Sequence, residues 1–405
     1  MSYPEHHRVH GALPLGPGRR LALGDELRRA ALRGRGGGGF PLADKLDAVR
    51  RSRGDPVVVV NGCEGEPMSV KDRLLLESLP HLVLDGAVVC AQAVGASGIV
   101  IAVEETSVQA IDALQRALDE RPDLYEGLET SIVEVPPGYV SGQETAIVAF
   151  LNGGPAKPAY IEARITKRGV ERRPTLMSNA ETLAHAALIA RHGATWFRKL
   201  GVPEEPGSAL LTLGGAVRYP GVYEIEYGSS VRSLLSAAEG VTEPVQAYLF
   251  GGYAGTWVDA RDASRARLSR AGLQPLGASL GAGIIVALPE SSCPVAEVTR
   301  VGSWMAEQSS GQCGACVNGL GAIAGALAAV AQGEADRDDL SQIRRWASQI
   351  SGRGACAHPD GAGRFVSSAV TVFAEAFADH ARHGPCEACE RRPVLFTPAV
   401  GNPVA

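Results

Sequence analysis

Strand-like runs alternate with helix-like segments through the first half of the chain. Three short apolar runs rich in β-branched residues lie at Pro56–Asn61, Gly98–Glu104 and Ser131–Val135. Helical patterns occupy Val70–Ala96 and Ser107–Glu120 between them. Parallel strands need long crossovers, which are usually helices that cover the sheet. The alternation therefore predicts an α/β fold class with a largely parallel sheet.

The patterning changes twice after this first domain. Residues 206–292 combine short strands and turn signals with one short helical segment, which predicts a small β-rich module. Residues 293–385 are helical and predict a small bundle. Its four candidate helices are Val298–Glu307, Cys316–Gln332, Asp338–Ser351 and Val366–His383. We expect domains at 1–205, 206–292 and 293–385, followed by an extended tail at 386–405.

Composition excludes several classes of protein. The 39 basic and 44 acidic residues give a net charge of −5, which argues against binding nucleic acid through a broad positive field. Residues 1–20 lack the apolar core of a signal peptide, and the small-apolar run Val317–Ala331 is shorter than the roughly 20 residues that span a bilayer. We expect a cytoplasmic protein without membrane insertion, in which the eight cysteines do not form a disulfide framework.

A glycine-rich loop, LRGRGGGGFP, occupies residues 32–41. It contains a formal G-x-G-x-x-G pattern, but the preceding segment, Asp25–Leu32, is helix-like, which excludes an ordinary Rossmann dinucleotide loop. Consecutive glycines can turn several backbone N–H groups toward one point, and Arg35 adds positive charge. The loop therefore favours a phosphate or a flat cofactor ring, with a flexible linker as the alternative.

Three further segments combine small and polar residues. NGCEGEP, at 61–67, follows a predicted strand at the edge where α/β sheets bind ligands. SGQET, at 141–145, and SNAET, at 178–182, each begin a predicted helix, where polar groups can both cap the helix and bind a ligand.

In this order, LRGRGGGGFP, NGCEGEP, SGQET and SNAET resemble the motifs of the NADH-oxidising flavoprotein subunit of respiratory complex I and of related bacterial hydrogenases and formate dehydrogenases. NGCEGEP is also similar to a turn in the NADH-binding subunit of Rnf-type complexes. The resemblance covers nearly the whole chain. It implies a Rossmann-like FMN-binding domain, a small β-grasp (soluble-ligand-binding) domain and a C-terminal four-helix bundle that binds a [4Fe–4S] cluster, in a divergent stand-alone paralogue.

The resemblance implies that FMN is held by residues from several motifs. These are Gly34, Arg35, Gly36, Gly37, Lys45, Asn61, Gly65, Tyr139, Gly142, Ser178, Asn179 and Thr182. Lys45 is expected near the phosphate. Cys63 stands where complex I flavoproteins have Asp, and Gln143 replaces a Glu. Because both changes remove negative charge beside the flavin, we expect the reduced flavin to form more easily.

For the nicotinamide nucleotide, NADH or NADPH, the resemblance implies Phe40, Glu66 and Glu144. Other positions differ from the family pattern: Arg164 stands where a Phe is expected, Ile161 where a Lys is expected, and Ala48 near another lost Phe. Arginine can stack on a purine. Nucleotide binding and the loss of NADH oxidation therefore both stay open.

The cysteines of the last quarter suggest a metal centre. Cys313 and Cys316 form a C-x-x-C pair, and Cys356 follows 40 residues later, which suits an iron–sulfur cluster or zinc. The resembling family has a further Cys where this chain has Ser310. Ser310 or water could complete a [4Fe–4S] cluster, the site could hold a [3Fe–4S] cluster, or the cluster could be lost.

A second C-x-x-C pair, Cys386 and Cys389, has no counterpart in the resembling family. A redox pair, half a metal site and a partner contact are all open interpretations. A zinc site in which this pair folds back on the earlier cysteines is a further alternative.

The implied reaction is electron transfer. NAD(P)H would give a hydride to FMN, and single electrons would pass through the cluster to a separate protein, such as a ferredoxin or another iron–sulfur subunit. No side chain is expected to act as an acid or base, so the catalytic residues are unknown. Two alternatives stay open: a ferredoxin-linked flavoprotein that does not use NADH directly, and a non-catalytic scaffold with decayed redox sites.

Overall fold

A computed structural model describes residues 1–16, 19–160, 162–335 and 339–398. The described residues divide into two compact units, one formed by residues 1–65 and 70–210 and the other by residues 66–69 and 211–398. The predicted domain boundary at 205 lies close to this division. The finer boundaries at 292 and 385 stay predictions.

A four-stranded parallel sheet forms the centre of the first unit. Its strands are β1 (Val57–Asn61), β2 (Gly98–Glu104), β3 (Glu129–Val135) and β4 (Thr175–Asn179). They lie in the order β3-β2-β1-β4, and each neighbouring pair is parallel. The four valines of β1 are buried, as expected for a strand covered by helices on both faces. The predicted α/β, Rossmann-like class is confirmed.

Helices and short turns complete the first unit. The helices are α1 (Tyr3–His10), α2 (Arg19–Ala30), α3 (Leu42–Arg50), α4 (Lys71–Ser78), α5 (Pro80–Val94), α6 (Val108–Asp119), α7 (Glu144–Leu151) and α8 (Ala180–Phe197). A short hairpin of β5 (Gly201–Val202) and β6 (Glu205–Pro206) follows. The predicted helix Val70–Ala96 is two helices, α4 and α5, at 94° to each other, because Pro80 excludes Leu79 from helical geometry and begins a new helix.

Helices α5 and α8 pack unusually closely. Helix α5 is buried along almost its whole length. A Cβ atom on Gly86 of α5 would lie 1.9 Å from the carbonyl oxygen of Leu183 in α8, so only glycine permits this approach. The packing fixes the first turns of α8, which begin directly after β4.

A buried charge network ties this helical layer together. Asp85 of α5 is fully buried and pairs with His6 at 2.8 Å, with Arg121 at 2.6 Å and with Arg191. Burial raises the pKa of Asp85, but the hydrogen bonds and positive charges of these partners outweigh it and lower the pKa to about 2. The carboxylate therefore stays charged and joins α1, α5 and α8.

The second unit contains a mixed five-stranded sheet. Its strands are β7 (Ser208–Gly215), β8 (Gly221–Glu226), β9 (Val245–Phe250), β10 (Thr256–Asp259) and β11 (Ile284–Pro289), in the order β10-β9-β11-β7-β8. The last strand lies in the middle, parallel to β7 and antiparallel to β9. The short helices are α9 (Val231–Ala237), α10 (Ala260–Ala263) and α11 (Arg270–Leu273). A central last strand that runs parallel to the first strand agrees with the predicted β-grasp arrangement.

Helices follow this sheet. They are α12 (Pro294–Glu307), α13 (Gly321–Gln332), α14 (Asp339–Ile350), α15 (His358–Val372) and α16 (Ala374–His383), with a π-helical turn at Ala315–Leu320 before α13. The predicted helical region is confirmed, but the predicted helix Val366–His383 is divided at Phe373. The ring of Phe373 packs edge-on against Trp257 of the sheet at 5.2 Å, and its backbone leaves helical geometry.

One apolar helix stands out in the described part of the chain. Ala315–Gln332 is long and apolar enough to cross a membrane by length and composition, and 39% of it is buried. It packs on α12, where the Thr299 hydroxyl donates to the carbonyl of Leu327 at 3.3 Å. The core helix of a soluble protein passes the same test of length and composition, so this result is weak evidence for a membrane span. Helices α4 and α5 pass it only as a sharply bent pair.

Candidate functional site

The carboxyl ends of β1 and β4 form the centre of a candidate site in the first unit. The chain proceeds from β1 to β2 and β3 on one side, whereas β4 lies on the other side of β1. Open α/β sheets bind ligands at the carboxyl ends of strands beside such a reversal. Asn61 lies opposite Asn179 in the register of these strands, and Val60 lies opposite Ser178. Two motifs that are far apart in sequence therefore meet at this edge.

Backbone hydrogen bonds close the base of the glycine loop, and its outer surface has free space. Arg33 and Pro41 form an isolated bridge at its base, and the N–H of Gly34 donates to the carbonyl of Phe40 at 2.9 Å. A Cβ atom on Gly38 would meet no atom within 4 Å. The Phe40 side chain is 47% exposed. The loop thus offers free space and an aromatic face beside its backbone.

The loop lies against the beginning of α8. The N–H of Arg35 donates to Oγ1 of Thr182 at 2.9 Å, and a Cβ atom on Gly36 would lie 3.2 Å from Cβ of Asn179. The side chain of Asn179 caps α8 by accepting the N–H of Glu181 at 3.1 Å. A helix N-terminus of this length favours anions. The glycine loop and α8 therefore form a cradle that suits a phosphate group.

Lys45 of α3 joins two predicted sites. Its Nζ donates to a carboxylate oxygen of Glu144 at 2.8 Å and to the carbonyl of Met177 at 3.1 Å. Lys45 is predicted near the FMN phosphate and Glu144 near the nicotinamide nucleotide. The structure brings these two side chains into an ion pair at the start of α7.

The turn after β1 packs backbone to backbone on the segment before α7. Nδ2 of Asn61 donates to the carbonyl of Gly142 at 2.9 Å, and the N–H of Cys63 donates to Oδ1 of Asn61 at 3.2 Å. A Cβ atom on Gly65 would lie 2.9 Å from the carbonyl oxygen of Tyr139. Residues predicted from two motifs therefore adjoin here, with no room for a side chain at Gly65.

Beneath this edge lies a buried ionic cluster that the sequence analysis missed. Nζ of Lys71 lies 2.9 Å from a carboxylate oxygen of Asp72 and 2.9 Å from one of Glu181. Burial alone lowers the pKa of Lys71, but these carboxylates outweigh it and raise the pKa. Burial raises the pKa of Asp72 to about 6. At Glu181, burial also raises the pKa, but Lys71, His185 and Arg35 together outweigh it and lower the pKa to about 2. Asp72 also accepts a hydrogen bond from Nδ2 of Asn179 at 2.7 Å.

The end of β2 carries a second group that the sequence analysis missed. Glu104 is 6% exposed. Burial and the nearby negative charge of Glu64 raise its pKa to about 7. Burial also raises the pKa of the neighbouring Cys63 thiol. Below neutral pH, Glu104 and Cys63 therefore carry little negative charge at this edge.

The remaining predicted nucleotide positions differ in their surroundings. Glu66 belongs to the second unit, where its carboxylate accepts the N–H of Tyr253 at 3.1 Å. Arg164, at the position of a lost aromatic ring, is exposed. Ile161 lies outside the described residues.

The second unit brings the predicted cluster cysteines together. The N–H of Cys316 donates to the carbonyl of Cys313 at 3.2 Å. The sulfur of Cys313 accepts the N–H of Ala355, next to Cys356. Burial, followed by the charge of Cys313, raises the pKa of Cys316 to about 12, and Cys356 adds to this effect. Three neighbouring thiols, of which Cys313 accepts a backbone N–H, suit an iron–sulfur cluster. Ser310, three residues before Cys313, is buried.

A cavity of about 410 Å³ adjoins this cysteine motif. Its lining includes Gly314, Ala315, Asn318, Trp346, Ile350 and Arg353. The Cys386–Cys389 pair lies elsewhere in the unit, beside Cys293 and His380. The interpretation that this pair folds back on Cys313 and Cys316 is therefore not supported.

Two sequence families match the chain in the regions just described. Residues 27–187 match the Nuo51 FMN-binding domain, and residues 296–380 match the NADH-ubiquinone oxidoreductase-F iron–sulfur binding region. The first match contains the glycine loop and the ends of β1 and β4. The second contains the three thiols and Ser310.

Full-length relatives agree with these matches. The second F-type subunit of the NADH-quinone oxidoreductase of Rhizobium meliloti (strain 1021) is 32% identical over 89% of each chain. The corresponding F-type subunit of Streptomyces coelicolor (strain ATCC BAA-471 / A3(2) / M145) is 30% identical over 93% of this chain and 87% of its own. The crystal structure of NAD⁺-reducing [NiFe]-hydrogenase in the air-oxidized state superposes with a TM-score of 0.82 and 27% identity. That match covers 94% of this chain but only 64% of the hydrogenase chain.

Replacing Glu104 by Gln should flatten the dependence of folding stability on pH. A carboxyl group whose pKa rises from 4.5 to about 7 on folding binds more protons in the folded state, so its contribution to stability is complete below pH 4.5 and is lost as the pH rises through 7. The shift corresponds to about 3 kcal/mol. At about pH 8, the free energy of unfolding of Glu104→Gln relative to that of the wild type should therefore be about 3 kcal/mol higher than at about pH 4.

Urea unfolding at these two pH values measures this gain. The matched control is Glu105→Gln, which changes the exposed neighbouring carboxylate. Parallel pH profiles for the wild type and both variants would contradict the burial of Glu104.

Replacing Ser310 by Cys should strengthen iron binding. The change supplies a fourth thiolate to Cys313, Cys316 and Cys356, so iron content after aerobic purification should rise toward the four atoms of a [4Fe–4S] cluster. Ser309→Cys adds a thiol one residue away and is the matched control. Equal iron contents in the two variants would show that position 310 does not face the cluster.

Proposed function

We propose, from the premise that the chain belongs to the family of F-type subunits of NADH-quinone oxidoreductase, that it oxidises a nicotinamide nucleotide through FMN and passes electrons singly to another protein. The observation that carries this proposal is the meeting of Asn61, Asn179 and the glycine loop at one sheet edge. FMN when bound would accept a hydride and release single electrons.

The phosphate of FMN would lie between the glycine loop and α8. Its donors would be the backbone N–H groups of Gly36 and Gly37 and those first-turn N–H groups of α8 that the side chain of Asn179 does not cap. The N-terminus of the helix adds positive potential. The side chain of Arg35 is buried and donates to the carbonyl of Ser208 at 2.9 Å. We infer that Arg35 mainly holds the loop in position.

The flavin ring would lie over the carboxyl ends of β1 and β4. Asn61, Ser178 and Asn179 would offer polar atoms to its edge. The close contact of Gly65 with Tyr139, together with Gly142, would form a wall from which side chains are absent. Below neutral pH, Glu104 and Cys63 add little negative charge, which should favour the reduced flavin.

The nucleotide would approach from the side of Phe40. Its exposed ring offers a stacking face, and the ion pair with Lys45 orients Glu144 for hydrogen bonds to the nucleotide. Glu66 is a weaker candidate, because its carboxylate already accepts the N–H of Tyr253. Arg164 would replace a lost aromatic contact by stacking on the purine.

The electrons would leave through the cysteine motif of the second unit. Cys313, Cys316, Cys356 and Ser310 would hold a [4Fe–4S] or [3Fe–4S] cluster. The cavity lined by Trp346 and Arg353 lies next to this motif and offers a surface to an acceptor. A ferredoxin or another iron–sulfur subunit is the proposed acceptor, and a cytoplasmic location would give access to both acceptor and nucleotide.

A second function is favoured by the nucleotide positions themselves. The engaged carboxylate of Glu66 and the exposed Arg164 are both departures from a strong NADH site. A flavoprotein that exchanges electrons with a ferredoxin without using NADH directly would tolerate them.

Replacing Phe40 by Leu should weaken nucleotide use without loss of the flavin. An aromatic contact is worth about 1 kcal/mol, so KM for NADH should rise about fivefold, with kcat and FMN content unchanged. Steady-state reduction of an artificial electron acceptor by NADH measures this effect. Tyr219→Leu, which changes an exposed ring of the second unit, is the matched control.

Two results would contradict the proposed nucleotide site. An unchanged KM for NADH in Phe40→Leu would show that the Phe40 ring does not contact the nucleotide. Absence of NADH oxidation in the FMN-loaded wild type, together with flavin reduction by a reduced ferredoxin, would favour the second function.

A further inference from the structure

Four potential metal ligands from separate parts of the second unit converge near the end of the chain. Cys293, His380, Cys386 and Cys389 each offer one ligand atom, and all four atoms lie within 4.8 Å of one another. Cys293 caps the N-terminus of α12, His380 lies on α16, and the two remaining cysteines belong to the tail. We propose that these residues bind a single structural zinc ion, separate from the iron–sulfur site.

The distances within this group suit one tetrahedral ion. The sulfur of Cys389 lies 3.4 Å from that of Cys293 and 3.8 Å from that of Cys386. Nε2 of His380 lies 3.4 Å from the sulfur of Cys293 and 3.9 Å from that of Cys389. Zn–S bonds of about 2.3 Å and Zn–N bonds of about 2.0 Å separate two sulfur ligands by about 3.8 Å, and sulfur from nitrogen by about 3.5 Å.

The surroundings favour metal binding by three of the four ligands. Nδ1 of His380 faces the carbonyl of Ala331 at 3.4 Å, which favours the proton on Nδ1 and leaves the lone pair of Nε2 facing the thiols. The sulfur of Cys386 accepts the N–H groups of Ala388 and Cys389. The sulfur of Cys293 accepts the N–H of Ala296 at 3.3 Å. Such donors stabilise thiolates, which are the form that binds zinc.

The ligand set distinguishes this site from the iron–sulfur site. The four thiolates of a cubane cluster bind four different irons, whereas this group is compact enough to share one ion. Three cysteines and one histidine form a closed set of the kind found in structural zinc sites, with no open position for a substrate. A disulfide would use two of the three thiols and leave the third thiol and His380 without a role.

The ion would fix the tail against α12. Beyond Cys389, the N–H groups of Val394 and Leu395 donate to the carboxylate of Glu297 at 2.7 and 3.0 Å, and Leu395 is fully buried. Glu297 lies one turn after Cys293 in α12. The metal and this carboxylate would therefore hold the same short tail at two points on one helix.

Metal analysis of the purified protein and of two double variants tests the proposal. We expect one zinc per chain in the wild type. Cys386→Ser with Cys389→Ser should remove the zinc and leave iron and FMN unchanged. Cys313→Ser with Cys316→Ser should remove the iron and leave the zinc, so each double variant is the control for the other.

Co²⁺ exchange provides a test that does not depend on the folding of variants. Wild-type protein that is stripped of zinc and given Co²⁺ should show the intense visible absorption of a tetrahedral thiolate site, and the tail should become more resistant to proteolysis. Wild-type protein without zinc, zinc that is lost only with Cys313 and Cys316, or a disulfide among Cys293, Cys386 and Cys389 would each overturn the proposal. None of these results would affect the proposed flavin function.

Discussion

A buried lysine holds the candidate flavin site together. Lys71 is 1% exposed and lies 2.9 Å from the carboxylates of both Asp72 and Glu181. Asp72 also binds the side chain of Asn179, and Glu181 lies in the first turn of α8. Removing one partner from such a group leaves an unpaired charge in a low-dielectric interior and costs about 3–5 kcal/mol. The positions of the strand end, the glycine loop and the helix N-terminus therefore depend on one ammonium group.

Close packing supplies a second constraint on the same helix. The approach of Gly86 to Leu183 fixes α8 from one side, and the buried pairs of Asp85 fix it through Arg191. With α8 held both in its first turn, at Leu183, and beyond its midpoint, at Arg191, its N-terminus has a fixed position. A site that binds an anion at a helix N-terminus needs this rigidity, because the attraction weakens beyond the first turn.

The sequence could predict the segments of the site better than their arrangement. Four ordered motifs identified the residues at the ends of β1 and β4, but the register of Asn61 with Asn179 depends on a strand order that no local pattern shows. Glu104 was missed because the sequence does not distinguish a buried carboxylate at the end of a strand from an exposed one. Cys293 was missed because its partner His380 lies 87 residues away. The sequence analysis predicted one helix over Val70–Ala96, although Pro80 is a local signal for the break before α5.

An anaerobic titration of the FMN-loaded protein with NADH, followed by visible absorption, tests nucleotide oxidation most directly. We predict that NADH bleaches the flavin band, and that the broad absorption of an iron–sulfur cluster accompanies it and responds to the same reductant. A flavin that stays oxidised in excess NADH would contradict nucleotide oxidation. A protein that binds neither FMN nor iron when both are supplied during expression would contradict the redox function altogether.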